Sequence, residues 1–180
     1  RIECVDVSHT GGTSTRVGMV VFEDGQPQKS DYRTYALEGE AACNGDDYAA
    51  LRRALAGRSL EVICLTHAHY DHMLAAPGLI ADTGAKFYAS AKDIPALNDA
   101  RLNLYNAAWS RLPAPQGLKA LAYGETLTVC GVKLDVLPTP GHTPGGVCLY
   151  AKDEGVLFSG DTLFCAGYGR VDFPGSSAAD

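Results

Sequence analysis

The chain has 180 residues, 46% of them hydrophobic, and a formal net charge of −6 at pH 7, which is enough for a sizeable buried core in one domain or one and a fraction. The negative balance gives no overall attraction to nucleic acid or to an anionic membrane surface. No apolar run approaches the roughly 18 residues that span a bilayer, and the N-terminus lacks a basic-then-apolar leader pattern, so a cytoplasmic location is the default expectation.

Residues 2–9 (IECVDVSH) and 16–23 (RVGMVVFE) are β-branched-rich runs separated by Gly-Gly-Thr-Ser, and Asp24-Gly25 marks a turn before a third run around 32–37. A three-stranded meander is expected. Asp46 and Asp47 are placed to cap a helix over about 48–56, with Leu51 and Leu55 four apart on one face and Gly57 at its end. A strand at 60–65 then feeds a His-rich loop. A helix near 73–82, a strand at 86–89 and a short helix near 92–98 follow, which is alternating α/β organisation.

Residues 103–117 contain Trp109 and a P-A-P triplet and read as a surface excursion or lid over a site. Runs 127–130 and 132–137 flank Gly131 as a hairpin, and 147–151 and 156–159 flank 152–155 as another. The six cysteines are scattered singly with no C-x-x-C pair. Cys64, Cys130 and Cys148 sit in apolar strand-like runs, so the set reads as small buried hydrophobes of a reducing compartment. The opening Arg1 and the Gly-Ser-Ser-Ala-Ala stretch before Asp180 give the expectation of a piece of a longer product.

The chemistry concentrates in two segments. Four of the five histidines lie in T-H-A-H-Y-D-H at 66–72 and G-H-T at 141–143, each after an apolar run. At a strand end His67 and His69 can project the same way, while Asp71 and His72 turn into the next helix, so one short loop can serve two adjacent metals. Neutral imidazoles and carboxylates suit zinc and related borderline metals. Asp161, in S-G-D-T-L-F, can reach the same cleft and bridge two ions, with Gly160 leaving room for close packing. Read singly, His142 is equally a turn-capping histidine and Asp161 a turn residue, and their weight comes from each other.

The motifs T66-H-A-H-Y-D-H72, G141-H142-T-P-G-G146 and G160-D161-T, in that order, resemble the successive motifs of the metallo-β-lactamase superfamily. The resemblance covers about residues 59–180 and implies a four-layer αβ/βα sandwich, truncated at the C-terminus, with metals at the sheet edge. It implies that His67, His69 and His142 hold one metal, Asp71 and His72 a second, and that Asp161 bridges. G167-Y-G-R-V-D-F-P-G175 resembles the G-R-x-D stretch of the glyoxalase II-like and persulfide-dioxygenase-like branches. There Arg170 and Asp172 would support the site loops through an ion pair, or simply form a surface turn. The family's further histidine for the second metal, from a later loop, is absent.

Residues 1–57 resemble something else. I-E-C-V-D-V-S-H-T-G-G-T-S-T, M-V-V-F-E-D-G-Q-P-Q-K-S-D-Y-R and G-D-D-Y-A-A-L-R-R are similar to the start of the RNase H-like endonuclease domain of the excinuclease C family. That resemblance implies metal-binding carboxylates at Asp6 and Asp47 for phosphodiester cleavage. The strand and histidine that complete that site are missing, so Asp6 reads as a strand residue, Asp47 as a helix cap and His9 as a strand-end residue. The expectation is a hybrid, a partial nuclease segment at 1–57 and a metallo-β-lactamase-fold core at 58–180.

The function so implied is hydrolysis of a small ester or thioester, such as an acyl-glutathione. One or two Zn2+ ions (iron or manganese as alternatives) would activate water, and Asp71 would hold that water or accept its proton. Three rivals stand beside it: an iron-dependent dioxygenase of the same fold, a DNA-repair endonuclease fragment and an inactive hybrid. A small-molecule substrate is expected, with no membrane partner and no nucleic acid at the main site; oligomeric state is not legible.

Overall fold

The computed structural model describes residues 2–10, 14–24, 26–36, 47–108 and 112–180. The expectations placed on Gly25, Leu37, Asp46 and Trp109 lie outside these residues, as do the side chains of Asp6, His9 and Asp47 within their elements.

Strands β1 (Ile2–Thr10) and β2 (Ser14–Glu23) pair antiparallel along their full length, from Ile2 opposite Phe22 to Thr10 opposite Ser14. Two short strands share the other edge of β2. β3 (Gln26–Pro27) pairs with Phe22 and Glu23, and β4 (Arg33–Ala36) with residues 16–19. The expected three-stranded meander is therefore a four-stranded sheet. Asp24, at a φ of 50°, starts a tight reversal that adds β3 before the chain returns as β4.

Helix α1 (Asp47–Ala54) lies on this sheet, but the face it buries is not Leu51 and Leu55. Ala50 and Ala54 are the buried pair, against Val17 with Val5, Val7 and Tyr35 around it. The period is the expected one, rotated by a single residue, because alanines let the helix approach the sheet where leucines would hold it off. Both leucines are left half-buried.

The core begins with a parallel sheet, β5 (Val62–Cys64), β6 (Lys86–Ala89) and β7 (Leu121–Ala122), in that order. The helix expected at 73–82 is two, α2 (Tyr70–Met73) and α3 (Ala76–Thr83). Pro77 explains the break: it lacks a backbone donor and is tolerated only in a first helical turn. Gly84, at a φ of 71°, closes α3 in the left-handed conformation. The short helix near 92–98 is a 3-10 turn, Ile94–Asn98, also started by a proline. Leu65, Met73, Phe87, Leu97 and Leu118 form the core between these elements.

An antiparallel sheet follows, β8 (Thr126–Val129), β9 (Val132–Pro138), β10 (Val147–Ala151) and β11 (Val156–Phe158), with β10 between β9 and β11. Cys130 and Gly131 have φ of 50° and 83°, as a two-residue turn of the primed type requires. That places Cys130 on the surface, and Cys165 is exposed too. Only part of the cysteine expectation stands, since Cys148 is buried and Cys64 half-buried.

The two core sheets meet where the Val147 N–H donates to the Thr66 carbonyl at 2.9 Å, and within the parallel sheet the Tyr123 hydroxyl donates to the Leu65 carbonyl at 3.2 Å. The N-terminal unit is fastened to this core at α1 and α3. The Tyr48 hydroxyl donates to Asp82 Oδ2 at 2.7 Å, Arg52 Nε lies 3.2 Å from the same oxygen, and Arg58 pairs with Glu3. Among the described residues no helix is long and apolar enough to cross a membrane.

Candidate metal centre

β5 ends at Cys64, and the chain then runs without regular structure through Thr66, His67, Ala68 and His69 before α2 opens. His69 is the extended residue preceding α2, so Asp71 and His72 fall within its single turn. His142 comes from the loop between β9 and β10, and Asp161 from the 3-10 turn Gly160–Thr162 after β11. The sequence thus sends its polar residues to the C-terminal end of β5 and to two loops of the antiparallel sheet, and these converge.

His67, His69 and His142 form one cluster and His67, His72 and Asp161 another, with the ligand-type atoms of each cluster within 4.8 Å of one another. Ring centroids of His69 and His142 are 4.5 Å apart, and those of His67 and His72 4.1 Å. Asp161 faces two rings, with Oδ1 3.4 Å from His72 Nε2 and Oδ2 3.5 Å from His142 Nε2. Asp71 stands outside both clusters: its carboxylate is 3.9 Å from His72 Nε2 and its side chain is 60% exposed.

His67 and His69 are each only 4% exposed. Burial, then the neighbouring imidazoles, lowers the pKa of His67 to about 2. Burial, then His142, lowers that of His69 to about 4. The hydrogen bond with His72 first, and the imidazoles around it, hold Asp161 down at about 2 against the opposing effect of burial. His67 and His69 are therefore held uncharged beside the Asp161 carboxylate anion, the protonation state in which they can bind a divalent cation.

The donors fit such an ion. Nε2 of His67 and of His142 are buried without a hydrogen-bond partner among the described residues, and an unmet buried polar atom costs about 1–3 kcal/mol. His142 Nδ1 lies 2.6 Å from the Arg170 carbonyl oxygen. A carbonyl has no proton to give, so Nδ1 must be the donor and the Nε2 lone pair points into the cluster, as an imidazole ligand oriented from behind does. Gly169 makes this approach feasible, since a Cβ there would overlap the Asp161 carbonyl oxygen and stand 2.9 Å from His142 Nδ1. At Gly160 a Cβ would run into Thr66, the close packing expected at that position.

Arg170 and Asp172 do form a two-pronged ion pair, with both N–O distances 2.8 Å, but the pair is on the surface. What reaches the site from this stretch is the Arg170 carbonyl, together with Phe173, whose ring lies edge-on to His69 at 5.6 Å and under the Arg170 guanidinium at 4.5 Å. Asp93 went unnoticed in the sequence, where it looks like one more polar residue at the start of a helix. It is 2% exposed and accepts hydrogen bonds from both ligand loops. No motif marks it.

A cavity of about 650 Å³ opens before the cluster. Its wall combines His69, Asp71, His142 and Asp161 with Tyr70, Tyr105, Phe164, Tyr168 and Phe173, and Leu104 to Asn106 bring part of the 103–117 excursion to its rim. A second cavity of about 500 Å³ lies at the α1–α3 junction and contains none of the clustered imidazoles.

A mixed α/β fold that gathers four imidazoles and a carboxylate at its strand ends has the architecture and donor set of a divalent-metal site. Residues 38–180 match the sequence profile of the metallo-beta-lactamase superfamily, and the chain belongs to that family. Residues 1–70 match the UvrC RNAse H endonuclease domain, so the two matches overlap over 38–70.

Hydroxyacylglutathione hydrolase of Acidiphilium cryptum (strain JF-5) is 35% identical over 176 residues, 96% of this chain and 61% of that protein. UvrABC system protein C of Lawsonia intracellularis (strain PHE/MN1-00) is 66% identical over 53 residues, 28% of this chain and 8% of that protein. The chain thus spans less than two thirds of either relative. Among solved structures, TTHA1623 in a di-iron-bound form superposes with a TM-score of 0.64 at 28% identity, covering 96% of this chain and 79% of that one. That coverage extends through most of the N-terminal sheet.

Proposed function

We propose that this chain is a metal-dependent hydrolase of a small ester or thioester, with an acyl-glutathione as the substrate to test first. The observation that carries the reading is the pair of buried Nε2 atoms of His67 and His142, aimed into a cluster of imidazoles beside Asp161. His67, His69 and His142 would hold one ion, and His72 with Asp161 would contribute to a second. Zinc is the first choice, and the di-iron form of the structural relative keeps iron as the alternative. When bound, such an ion lowers the pKa of a coordinated water toward neutrality and polarises a carbonyl.

The chain's own residues supply the rest. The aromatic wall of the cavity, Tyr105, Phe164, Tyr168 and Phe173, holds the apolar part of a ligand and excludes water around the reacting bond. Asp71, exposed in the same wall, would take a proton from water and release it to solvent. The acyl-glutathione assignment draws on the hydroxyacylglutathione hydrolase relative. Asp6 and Asp47 are proposed as remnants without a nuclease role, because the chain that follows them runs as V-I-C-L-T-H-A-H-Y-D-H into the imidazole cluster.

Elemental analysis of the purified protein tests this directly. The expected result is about one or two zinc or iron ions per chain, lost in the His67→Ala, His69→Ala double variant, and thioester hydrolysis that falls with the metal. Oxygen consumption without hydrolysis would move the assignment to a dioxygenase, and a wild-type protein without metal would end the hydrolase reading.

A further inference from the structure

We propose that Asp93 is a positioning residue of the metal centre, a single buried carboxylate that sets the distance between the two loops carrying His67, His69 and His142. The inference rests on the metal reading above. Asp93 Oδ2 accepts from the backbone N–H of Ala68 at 3.0 Å and from the Thr143 hydroxyl at 2.8 Å, and Oδ1 accepts from the Gly145 N–H at 2.7 Å. Ala68 is the residue between His67 and His69, and Thr143 follows His142. The partners lie 25, 50 and 52 residues away in the chain.

A carboxylate with only 2% of its surface exposed is costly to bury unless its oxygens are satisfied. Here three donors meet it, all from ligand-bearing loops. Fitting it there constrains other residues: a Cβ at Gly145 would stand 2.6 Å from the Asp93 backbone nitrogen and from Oδ1, so that position must be glycine. None of these atoms faces the cavity, which is why the role is positioning and not catalysis.

An asparagine cannot replace this carboxylate. Whichever way its amide is turned, the NH2 group confronts either the Ala68 N–H or the Gly145 N–H, donor against donor, whereas the Thr143 hydroxyl can rotate to adapt. Thr143→Val removes one bond while keeping shape, and Thr143→Ser keeps the bond.

Zinc affinity of metal-stripped protein, measured by competition with a chromophoric chelator near neutral pH, tests the idea. Asp93→Asn should bind about 10- to 100-fold more weakly, Thr143→Val should lose less in the same direction, and Thr143→Ser should bind like wild type. The cobalt(II) absorption spectrum of Thr143→Val should differ from that of wild type and Thr143→Ser, because ligand geometry has loosened. If Asp93→Asn does not fold, the two Thr143 variants decide.

Undiminished affinity and an unchanged cobalt spectrum in Thr143→Val would overturn the proposal. So would a loss of affinity matched by an equal loss of metal-free folding stability, which would assign a merely structural role. Wild-type protein that binds no metal overturns the metal reading and this inference together, whereas tight wild-type binding with equally tight variants overturns this inference alone.

Discussion

The N-terminal unit and the metal-bearing core reach order by different routes. In the first, the strands pair with neighbours in sequence, β1 with β2 and β3 and β4 back onto β2, while α1 reaches across a longer separation to pack Ala50 and Ala54 on Val17. In the core, the bonds that matter join strangers. Asp93 ties residue 68 to residues 143 and 145, His142 bonds the Arg170 carbonyl, and Val147 bonds Thr66. Local turns and patterning suffice to pair those strands. Bringing imidazoles within a few ångströms of one another takes long-range hydrogen bonds, so the site depends on the whole core while the sheet does not.

Acidification should separate the two regions most strongly. Unfolded histidines take up protons near pH 6.5, whereas folded His69 stays neutral down to about pH 4 and folded His67 lower still. The unfolded chain therefore binds more protons in this window, and metal-free protein should lose on the order of 5 kcal/mol of stability, a little under 3 from each histidine, as pH falls from 6.5 to 4. Asp161 does not offset this, since its low folded pKa contributes stability that is lost only below its ordinary 3.8. Chemical denaturation at a series of pH values measures the effect, and an equal fall in a protein lacking His67 and His69 would break the assignment.

Ala50→Leu should act on the other region. It pushes a larger side chain between α1 and the sheet, at a cost of about 1–3 kcal/mol, while metal stoichiometry stays at the wild-type value. A variant that unfolds early and also loses metal would show that the two regions are not separable in this way. The smallest effect is expected at the seam: Tyr48→Phe deletes the hydroxyl bonded to Asp82 and should lower stability by about 0.5–1 kcal/mol. Seeing that loss in the thermal midpoint without any change in metal affinity would confirm that the seam holds the units together without shaping the centre.

The overlap of the two family matches over residues 38–70 fits this picture. Among the described residues it spans α1, β5 and the first site histidines. Within it α1 packs on α3 of the core, with the Tyr48 ring against Gly78, where a Cβ would stand 2.6 Å away.

The H-x-H-x-D-H spacing, the later G-H-T and G-D-T segments and the hairpins around Gly131 and 152–155 were legible from sequence alone, because strand alternation and turn chemistry act over a few residues. The choice of Ala50 and Ala54 over Leu51 and Leu55 was not, since two stripes of equal period can be told apart only by what faces them. The break between α2 and α3 was written in Pro77, a local signal that a single long helix overlooked. Cys130 looked buried in an apolar run until the turn placed it outside.

Sequence by itself determined which residue types could bind a metal and the order in which they occur. Tertiary structure alone decided that Asp161 faces both His72 and His142 while Asp71 stays toward solvent, that a backbone carbonyl orients His142, and that Asp93 links the loops. Those outcomes depend on distances between segments 19 or more residues apart, and a buried carboxylate reveals its purpose only when its three donors are in place.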